Sequence, residues 1–324
     1  MDNRGAGFMN GLAVIAGLSS KLPFLPQKGP GHPAAVKFAP FQPRPLPFSD
    51  PALGPHLGWS GSLELRLATK KSEIRKAQRL RFKVFFEEGG AAADGMAALV
   101  RRDICRFDKV CDHLLVIDHA ARNRFGKVKP KVVGAYRLLR QEVAQRNFGF
   151  YSAQEFDIGP LLARHPNSRL LELGRSCVLR DYRGKKTIEM LWRGIWAYVK
   201  HHRIDAMIGC ASLDGTDPDK LAQQLSFLHH HAQAAPEWVV SPLPRRFVAM
   251  DRLDIGQVDA KRALAALPPL VKGYMRVGAK FGAGAVVDHQ FGVTDIFAIM
   301  PIAEIEGRYI EYFGSPDDLP RRAA

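Results

Sequence analysis

Cysteine is scarce in this sequence and long apolar runs are absent, and both observations exclude classes of protein. Four cysteines in 324 residues do not make a disulfide scaffold, and no C-x-x-C pair is present, so no structural zinc site is expected. Residues 5–20 are uncharged but contain Asn10 and many small residues, short of the roughly 20 apolar residues of a spanning helix. They resemble neither a signal peptide nor a span, which leaves a loosely attached tail or a shallow interfacial anchor. We expect a cytoplasmic protein with reduced cysteines, and peripheral attachment to the cytoplasmic face of the membrane is the alternative.

Motifs for nucleotides and metals are also missing. Neither the glycine-rich dinucleotide fingerprint nor a P-loop occurs, and residues 214–219 form an incomplete calcium loop. His113 and Asp118 have the H-x4-D spacing of glycerolipid acyltransferases, but the residues between them are typical of a strand. Five positions along a strand would hold the two side chains roughly 16–17 Å apart and on opposite faces. We therefore expect no bound cofactor and no metal.

Positive charge is abundant. Lys and Arg total 47 against 32 Asp and Glu, a formal net charge of +15. Such a surface favours nucleic acid, anionic lipid headgroups or an acidic carrier protein as partner. Since the sequence has no recognition helix, aromatic stacking motif or zinc-finger spacing, a nucleic-acid-binding protein is the less favoured class.

The sequence divides into three regions. Residues 1–60 form a proline-rich arm, with ten of the 22 prolines in the first 58 positions, a density that prevents packed helices or sheets. Residues 61–310 form the folded domain, which is expected to begin near Ser62, and residues 311–324 form a tail.

Within the domain, strand-like and helix-like periods alternate, which favours a three-layer α/β or α+β sandwich. Strands are predicted near 63–67, 113–118, 131–139, 170–178, 206–211 and 294–302. A helix capped by Ser72 is predicted to reach about Phe86, and others should open at Asp217-Pro218 and at Pro268-Pro269. The clearest helix covers 184–203, and its apolar stripe consists of Ile188, Leu191, Trp192, Ile195 and Val199.

Charged residues interrupt these apolar patterns at a few positions. Arg81 shares a helix stripe with buried positions, and Arg137 lies in an apolar strand, so each faces a cleft or an ion-pair partner. Glu172 and Arg175 would face opposite sides of a regular strand, but Gly174 permits a bulge that splays this strand from its neighbour. A splayed strand exposes backbone N–H groups that can stabilise an oxyanion. A structural ion pair across an ordinary strand is the alternative.

Two further charged segments are candidates for binding. Asp103, Asp108 and Asp112 precede a strand and can hold a cationic ligand, or simply pair with Arg81 and nearby basic residues. Residues 183–187 open the long helix, where free N–H groups and the helix dipole attract phosphate.

The order of these motifs resembles that of acyl-homoserine-lactone synthases, relatives of the GNAT N-acetyltransferases. The matching residues are Arg81-x-x-Val84-Phe85, Phe107-Asp108, Asp112-His113-Leu114, Gly134-x-Tyr136-Arg137-Leu138 and Glu172-x-x-Arg175. Residues 62–305 are still more similar to bacterial first-step ornithine lipid synthases, the L-ornithine N-alpha-acyltransferases, often labelled hemolysins. Segments that carry this resemblance include ELGRSCV, LWRGIWAYV, IGCASLDGTDP and LPPLVKGYMRVGAKFGAGAVVD.

The resemblance implies a GNAT-like fold with a central mixed, splayed sheet and transfer of a 3-hydroxyacyl chain from acyl-carrier protein to ornithine. Glu172 would act as the general base, with Arg175 orienting it or holding a carboxylate. Substrate-binding candidates are Arg81, Phe85, Asp103, Asp108, Asp112 and Arg137. The carrier and its phosphopantetheine arm would contact Arg180, Arg183, Gly184, Lys185 and Lys186.

One departure from the acetyltransferase pattern bears on the donor. Lys186 and Ile188 stand where the pyrophosphate loop of those enzymes has glycines, which weakens the case for coenzyme A and suits a carrier protein. Alternatives are a homoserine-lactone-type signal synthase and acylation of glutamine, lysine or glycine. An anionic membrane surface is a further expected partner, and nucleic acid is not.

Overall fold

The computed structural model describes residues 53–309, which form an eight-stranded mixed sheet with helices packed against it. The predicted tail and residues 1–52 of the predicted arm lie outside the described residues. The strands are His56–Ser60 (β1), Leu63–Leu67 (β2), Asp112–Asp118 (β3), Lys131–Arg140 (β4), Leu170–Val178 (β5), Ala206–Asp214 (β6), Lys280–Asp288 (β7) and Val293–Pro301 (β8). The helices are Lys71–Phe82 (α1), Gly95–Val100 (α2), Gln141–Gln145 (α3), Gly159–Arg164 (α4), Lys185–His202 (α5), Ala222–Ala232 (α6), Ala260–Ala266 (α7) and Pro269–Val277 (α8).

The strand order across the sheet is β1-β2-β3-β4-β5-β6-β8-β7, and every neighbouring pair is antiparallel except β5 and β6. Helices α1 and α5 cover opposite faces. Gly194 of α5 lies so close to Leu114 of β3 that a Cβ at this glycine would come within 2.8 Å of the leucine side chain. His113, the neighbour of Leu114 in β3, points to the other face. There its Nε2 lies 3.1 Å from the backbone carbonyl oxygen of Asp108, a residue that pairs with Arg81 of α1. The α/β fold class predicted from the alternating periods is confirmed.

Three predicted details differ from the structure. Strand β1 begins at His56 and buries Leu57, so regular structure starts before Ser62. Residues 218–221 form a turn and α6 begins at Ala222, because Asp217 accepts a hydrogen bond from the backbone N–H of Asp219 within that turn. Helix α5 follows the prediction, but Ile188 of its expected apolar stripe is 43% exposed.

Helix α1 also ends earlier than predicted. The α-helix ends at Phe82 and is followed directly by one π-helical turn, Lys83–Glu88. The N-cap of α1 is Lys70 rather than Ser72. The side chain of Glu73 accepts hydrogen bonds from the backbone N–H groups of Lys70 and Thr69, which fixes the start of α1. No helix within residues 53–309 combines the length and apolar character needed to cross a bilayer.

The feature that creates a site is the separation of β5 from β6. These strands pair over only three positions, from Leu170–Ala206 to Glu172–Ile208, although both continue for six residues beyond. On its other edge, β5 pairs with β4 through a bulge, since Gly174 and Cys177 face Arg137 and Ala135. The predicted bulge is present, and the residue that adopts the left-handed conformation in it is Arg175, at φ 52°. Backbone strain of this kind is common where a side chain must be aimed into a site.

Candidate active site

A cavity of about 320 Å³ opens where β5 and β6 separate. One wall is the bulged backbone of β5, and an apolar wall comes from the π-helical turn, the start of α8 and the β7–β8 turn. The apolar lining residues are Val84, Phe85, Leu173, Pro268, Leu270, Tyr274, Phe291 and Val293. The charged lining residues are Glu172, Arg175, Asp214, Asp288 and Asp295. The cavity therefore has one region suited to an acyl chain and another suited to a charged, polar group.

Arg175 supplies the cation of this cavity. Its Nε donates to Asp103 Oδ2 at 3.2 Å and its NH2 group donates to the Tyr151 hydroxyl at 3.2 Å. The guanidinium carbon also lies 4.7 Å from the ring centroid of Tyr151 and 4.9 Å from that of Phe291. With its orientation fixed in this way, Arg175 is suited to binding a carboxylate in a defined geometry.

Opposite charge comes from carboxylates that sequence reasoning missed. Asp295 of β8 is buried and accepts a hydrogen bond from Ser212 Oγ of β6 at 2.5 Å. Glu155 and Asp288 lie beside it, with one oxygen of each of the three carboxylates within 4.8 Å of the others. Burial and then the charge of Glu155 raise the pKa of Asp295 to about 7. Such a carboxyl can take or give a proton near neutral pH.

The charges around these carboxylates favour a positively charged ligand. Glu155 is also buried and forms an ion pair with Arg246 at 3.3 Å. A positively charged ligand that approaches Asp295 and Asp288 would relieve the repulsion among the three groups. Three carboxylate oxygens at this spacing are also compatible with a metal ion, so the expected absence of a metal stays a prediction.

Glu172 lines the cavity but its carboxylate is already engaged. It accepts hydrogen bonds from the backbone N–H groups of Tyr151 at 2.7 Å and Ser152 at 2.8 Å, and from the Ser152 hydroxyl. Burial raises the pKa of Glu172, and the bonds from Ser152 and Tyr151 offset part of that rise. The geometry gives Glu172 a structural role, holding residues 151–152 against β5, and it provides no support for the predicted role as base.

Replacement of Glu172 by Gln should therefore act on stability. The amide would turn one acceptor oxygen into an N–H donor that faces backbone N–H groups, at a cost of roughly 2–4 kcal/mol in the free energy of unfolding. Denaturant titration measures this loss, and Glu142→Gln, at a partly exposed glutamate on α3, is the matched control. A Glu172→Gln protein with unchanged stability and a kcat about 100-fold lower would restore the base role.

Arg81 and Arg137 are not among the residues that line the cavity; Arg81 pairs with Asp103 and Asp108, and Arg137 pairs with Asp108. Arg81 is 1% exposed, with Nε 2.8 Å from Asp103 Oδ2 and NH2 2.8 Å from Asp108 Oδ2. Arg137 lies 3.5 Å from Asp108 Oδ1 and above the ring of Phe107. Pairing within the protein, the alternative that the sequence left open, is the arrangement that the structure shows.

The remaining substrate-binding candidates separate in space. Phe85 lines the cavity, and its contact with substrate stays a prediction. Asp112 lies elsewhere, because it accepts a hydrogen bond from the hydroxyl of Tyr198 on α5 at 2.5 Å. Asp103 reaches the site only through Arg175, so its role there is to position that guanidinium.

The predicted carrier-binding residues lie together around the N-terminus of α5. Gly184 is the N-cap, no side chain caps the first turn, and Lys185 and Lys186 are exposed. Arg180 is exposed as well, and Arg183 forms an ion pair with Glu88 of the π-helical turn at 2.6 Å. Because that turn also carries Phe85, the ion pair ties the basic helix start to the cavity wall.

Comparison with known proteins finds similar acyltransferases and synthases. Residues 80–193 match the acetyltransferase (GNAT) domain. An L-ornithine N(alpha)-acyltransferase from Agrobacterium fabrum is 52% identical over 257 residues, which cover 79% of this chain and 87% of that protein. The protein of the same name from Brucella abortus is 51% identical over 259 residues, or 80% of this chain and 91% of that protein. A solved N-acyl amino acid synthase from uncultured soil microbes aligns with 75% of this chain and 92% of its own, at 12% identity and a TM-score of 0.42.

The splayed sheet and the domain match define a GNAT-type acyltransferase. Within that class, the chain belongs to the L-ornithine N(alpha)-acyltransferase family, since two curated relatives above 50% identity align with about four fifths of it. The family resemblance, the fold and the enzyme class expected from the motifs are thus confirmed.

Proposed function

We propose that the protein transfers a 3-hydroxyacyl chain from acyl-carrier protein to the α-amino group of L-ornithine, giving lyso-ornithine lipid. The names of the relatives support ornithine as acceptor. The observation that carries the proposal is the charge pattern of the cavity, whose lining combines Arg175 of β5 with Asp288 of β7 and Asp295 of β8. Ornithine has one carboxylate and two ammonium groups, so its charges complement this arrangement.

The same pattern distinguishes ornithine from the other amino acids considered. Glycine and glutamine carry a single ammonium group, which would leave either Asp288 or Asp295 without a counter-charge from the substrate. Lysine has the same charges with one more methylene, so its exclusion depends on length alone and should be weaker.

In the proposed reaction, the neutral α-amine attacks the carbonyl carbon of the thioester. A C–N bond forms and the C–S bond breaks, and the pantetheine sulfur leaves as the thiol with the second proton, which the nitrogen loses as the amide forms. Asp295 takes the proton that the α-ammonium must lose, as its pKa of about 7 allows. Arg175 binds the α-carboxylate, and backbone N–H groups of the bulge at residues 173–176 stabilise the oxyanion. The acyl chain lies along the apolar wall that contains Phe85 and Phe291.

The donor is bound at the start of α5. The pantetheine arm enters the gap between β5 and β6 beside Gly184, and the acidic surface of the carrier meets Arg180, Arg183, Lys185 and Lys186. The chemistry requires no cofactor beyond the arm that the carrier brings.

Charge reversal at Lys185→Glu/Lys186→Glu should raise the KM for the acyl carrier roughly tenfold at low salt, with kcat nearly unchanged, because electrostatic docking is weakened. Steady-state kinetics at two salt concentrations measure this effect. The matched control is Lys261→Glu/Arg262→Glu on α7, which makes the same charge change at two exposed positions. Identical carrier kinetics in both variants would place the docking surface elsewhere.

The proposal as a whole is tested with purified protein, 3-hydroxyacyl carrier protein and a panel of amino acids, read by product mass. N-acylated ornithine should dominate, with lysine second. Acylated glutamine or glycine as the main product would contradict the assignment of the acceptor. Product from S-adenosylmethionine, and none from ornithine, would indicate the homoserine-lactone-type alternative.

A further inference from the structure

The loop between β3 and β4 exposes apolar side chains at its tip. Phe125 is 70% exposed and Val128 is 56% exposed, in a loop that also carries a dense set of cations. We call residues 119–131 the basic hairpin. Within residues 53–309, the ring of Phe125 interacts with the guanidinium of Arg124, whose carbon lies 4.6 Å from the ring centroid. Large apolar groups presented in this way are typical of interaction sites.

The shape of the basic hairpin is fixed by hydrogen bonds. Asn123 Oδ1 accepts from the backbone N–H groups of Phe125 at 2.9 Å and Lys127 at 3.1 Å. Arg122 and Val128 form an antiparallel bridge, and Arg122 NH1 donates to the Gly126 carbonyl at 2.7 Å. Gly126 adopts φ 74°, which completes the turn. The apolar tip is therefore presented by an ordered turn.

The charge of the basic hairpin has one sign. No acidic residue occurs between Asp118 and Glu142 in the sequence. Five exposed cations surround the tip: Arg122, Arg124, Lys127, Lys129 and Lys131. Apolar tips ringed by Lys and Arg suit the boundary between anionic headgroups and acyl chains, where the cations meet phosphate and the apolar groups enter the membrane.

The position of the hairpin relates it to the proposed reaction. Asp118, at its base, accepts a hydrogen bond at 2.8 Å from the hydroxyl of Tyr182, three residues before α5. The hairpin thus shares a sheet end with the N-terminus of α5, where the acyl carrier is proposed to dock. An enzyme whose product is an amphiphile benefits from a nearby lipid phase that accepts the product.

We propose that the basic hairpin attaches the protein to an anionic lipid surface, with Phe125 and Val128 inserted and the five cations against the headgroups. The benefit to product release rests on the proposed function, whereas the attachment itself does not. A carrier protein is the less favoured occupant, because acidic helices would pair with the cations but would leave the exposed ring of Phe125 without an apolar phase.

The test is co-sedimentation of the full chain with vesicles of phosphatidylcholine alone or mixed with phosphatidylglycerol. The wild type should bind the anionic vesicles preferentially. Phe125→Ala/Val128→Ala and Lys127→Gln/Lys129→Gln should each weaken that partitioning at least roughly fivefold. Two control pairs should leave it unchanged, Ile255→Ala/Leu264→Ala for exposed apolar groups and Lys261→Gln/Arg262→Gln for exposed cations.

The second measurement is acyl transfer without vesicles, using soluble carrier protein and ornithine. The hairpin variants should match the wild type there. Hairpin variants that sediment like the wild type would overturn the proposal. Normal vesicle binding with a raised KM for the carrier would also overturn it and assign the surface to the carrier. Because sedimentation needs no turnover, the attachment remains testable if ornithine proves not to be the acceptor.

Discussion

Replacement of Asp295 by Asn should lower kcat for ornithine acylation by roughly 100-fold or more, because the variant cannot take the proton from the attacking amine. Asp295 lies inside the cavity between the separated strands, and its pKa of about 7 suits proton transfer near neutral pH. The loss should appear in kcat with intact folding, since the amide can still accept the hydrogen bond that Ser212 donates.

The pH dependence of kcat/KM is a second test of Asp295 as the base. Below its pKa, Asp295 is protonated and cannot accept a proton, so kcat/KM should rise as pH increases across about 6–8. The hydroxyl of Ser212 stabilises the ionised form and lowers this pKa, so Ser212→Ala should move the rise to higher pH. In Asp295→Asn the inflection due to this carboxyl should disappear, leaving only the rise that deprotonation of the ornithine α-ammonium in solution produces.

The control for Asp295 is Asp214→Asn, at an exposed carboxylate on the cavity wall. It removes the same charge without touching the buried cluster and should keep a kcat close to that of the wild type. Equal losses in the two variants would mean that the cavity needs negative charge in general. A normal rate in Asp295→Asn would exclude this residue as the base.

Replacement of Arg81 by Met should destabilise the protein by about 3–5 kcal/mol, because Asp103 and Asp108 would remain buried without their counter-charge. Chemical denaturation measures this loss. Arg79→Met, on the exposed face of the same helix, is the matched control and should change stability by less than about 0.5 kcal/mol. A stable Arg81→Met protein with a raised KM for ornithine would instead return Arg81 to the substrate-binding role predicted from the sequence.

The bulge in β5 could be predicted from the sequence because the residues that indicate it are adjacent in the chain. A glycine between two charged residues in an apolar strand interrupts the two-residue period, and the structure shows an extra β5 residue at that point. Strand β5 also separates from β6 in this segment, since their pairing ends at Glu172 and Ile208. Gly209 of β6 is needed where the strands part, since a Cβ there would lie 2.4 Å from the carbonyl oxygen of Leu173.

The carboxylates of the site could not be located in the same way. Asp288 and Asp295 lie far from Arg175 along the chain, and they line the same cavity because β8 lies beside β6 and β7 lies beside β8. Glu155 comes from the loop between α3 and α4 and joins these two carboxylates only in the folded protein. One signal was available, since Asp295 interrupts the apolar strand VTDIFAIMP. Glu172 gave a stronger signal of the same kind, but its partners, Tyr151 and Ser152, come from a loop whose position the sequence does not reveal.

The most direct test of the acceptor site is a crystal structure of the protein with L-ornithine bound. The account predicts the amino acid between β5 and β6, with its carboxylate on Arg175 and its α-amino nitrogen within hydrogen-bonding distance of Asp295. Ornithine bound at Asp103 and Asp108, or outside the cavity, would contradict it.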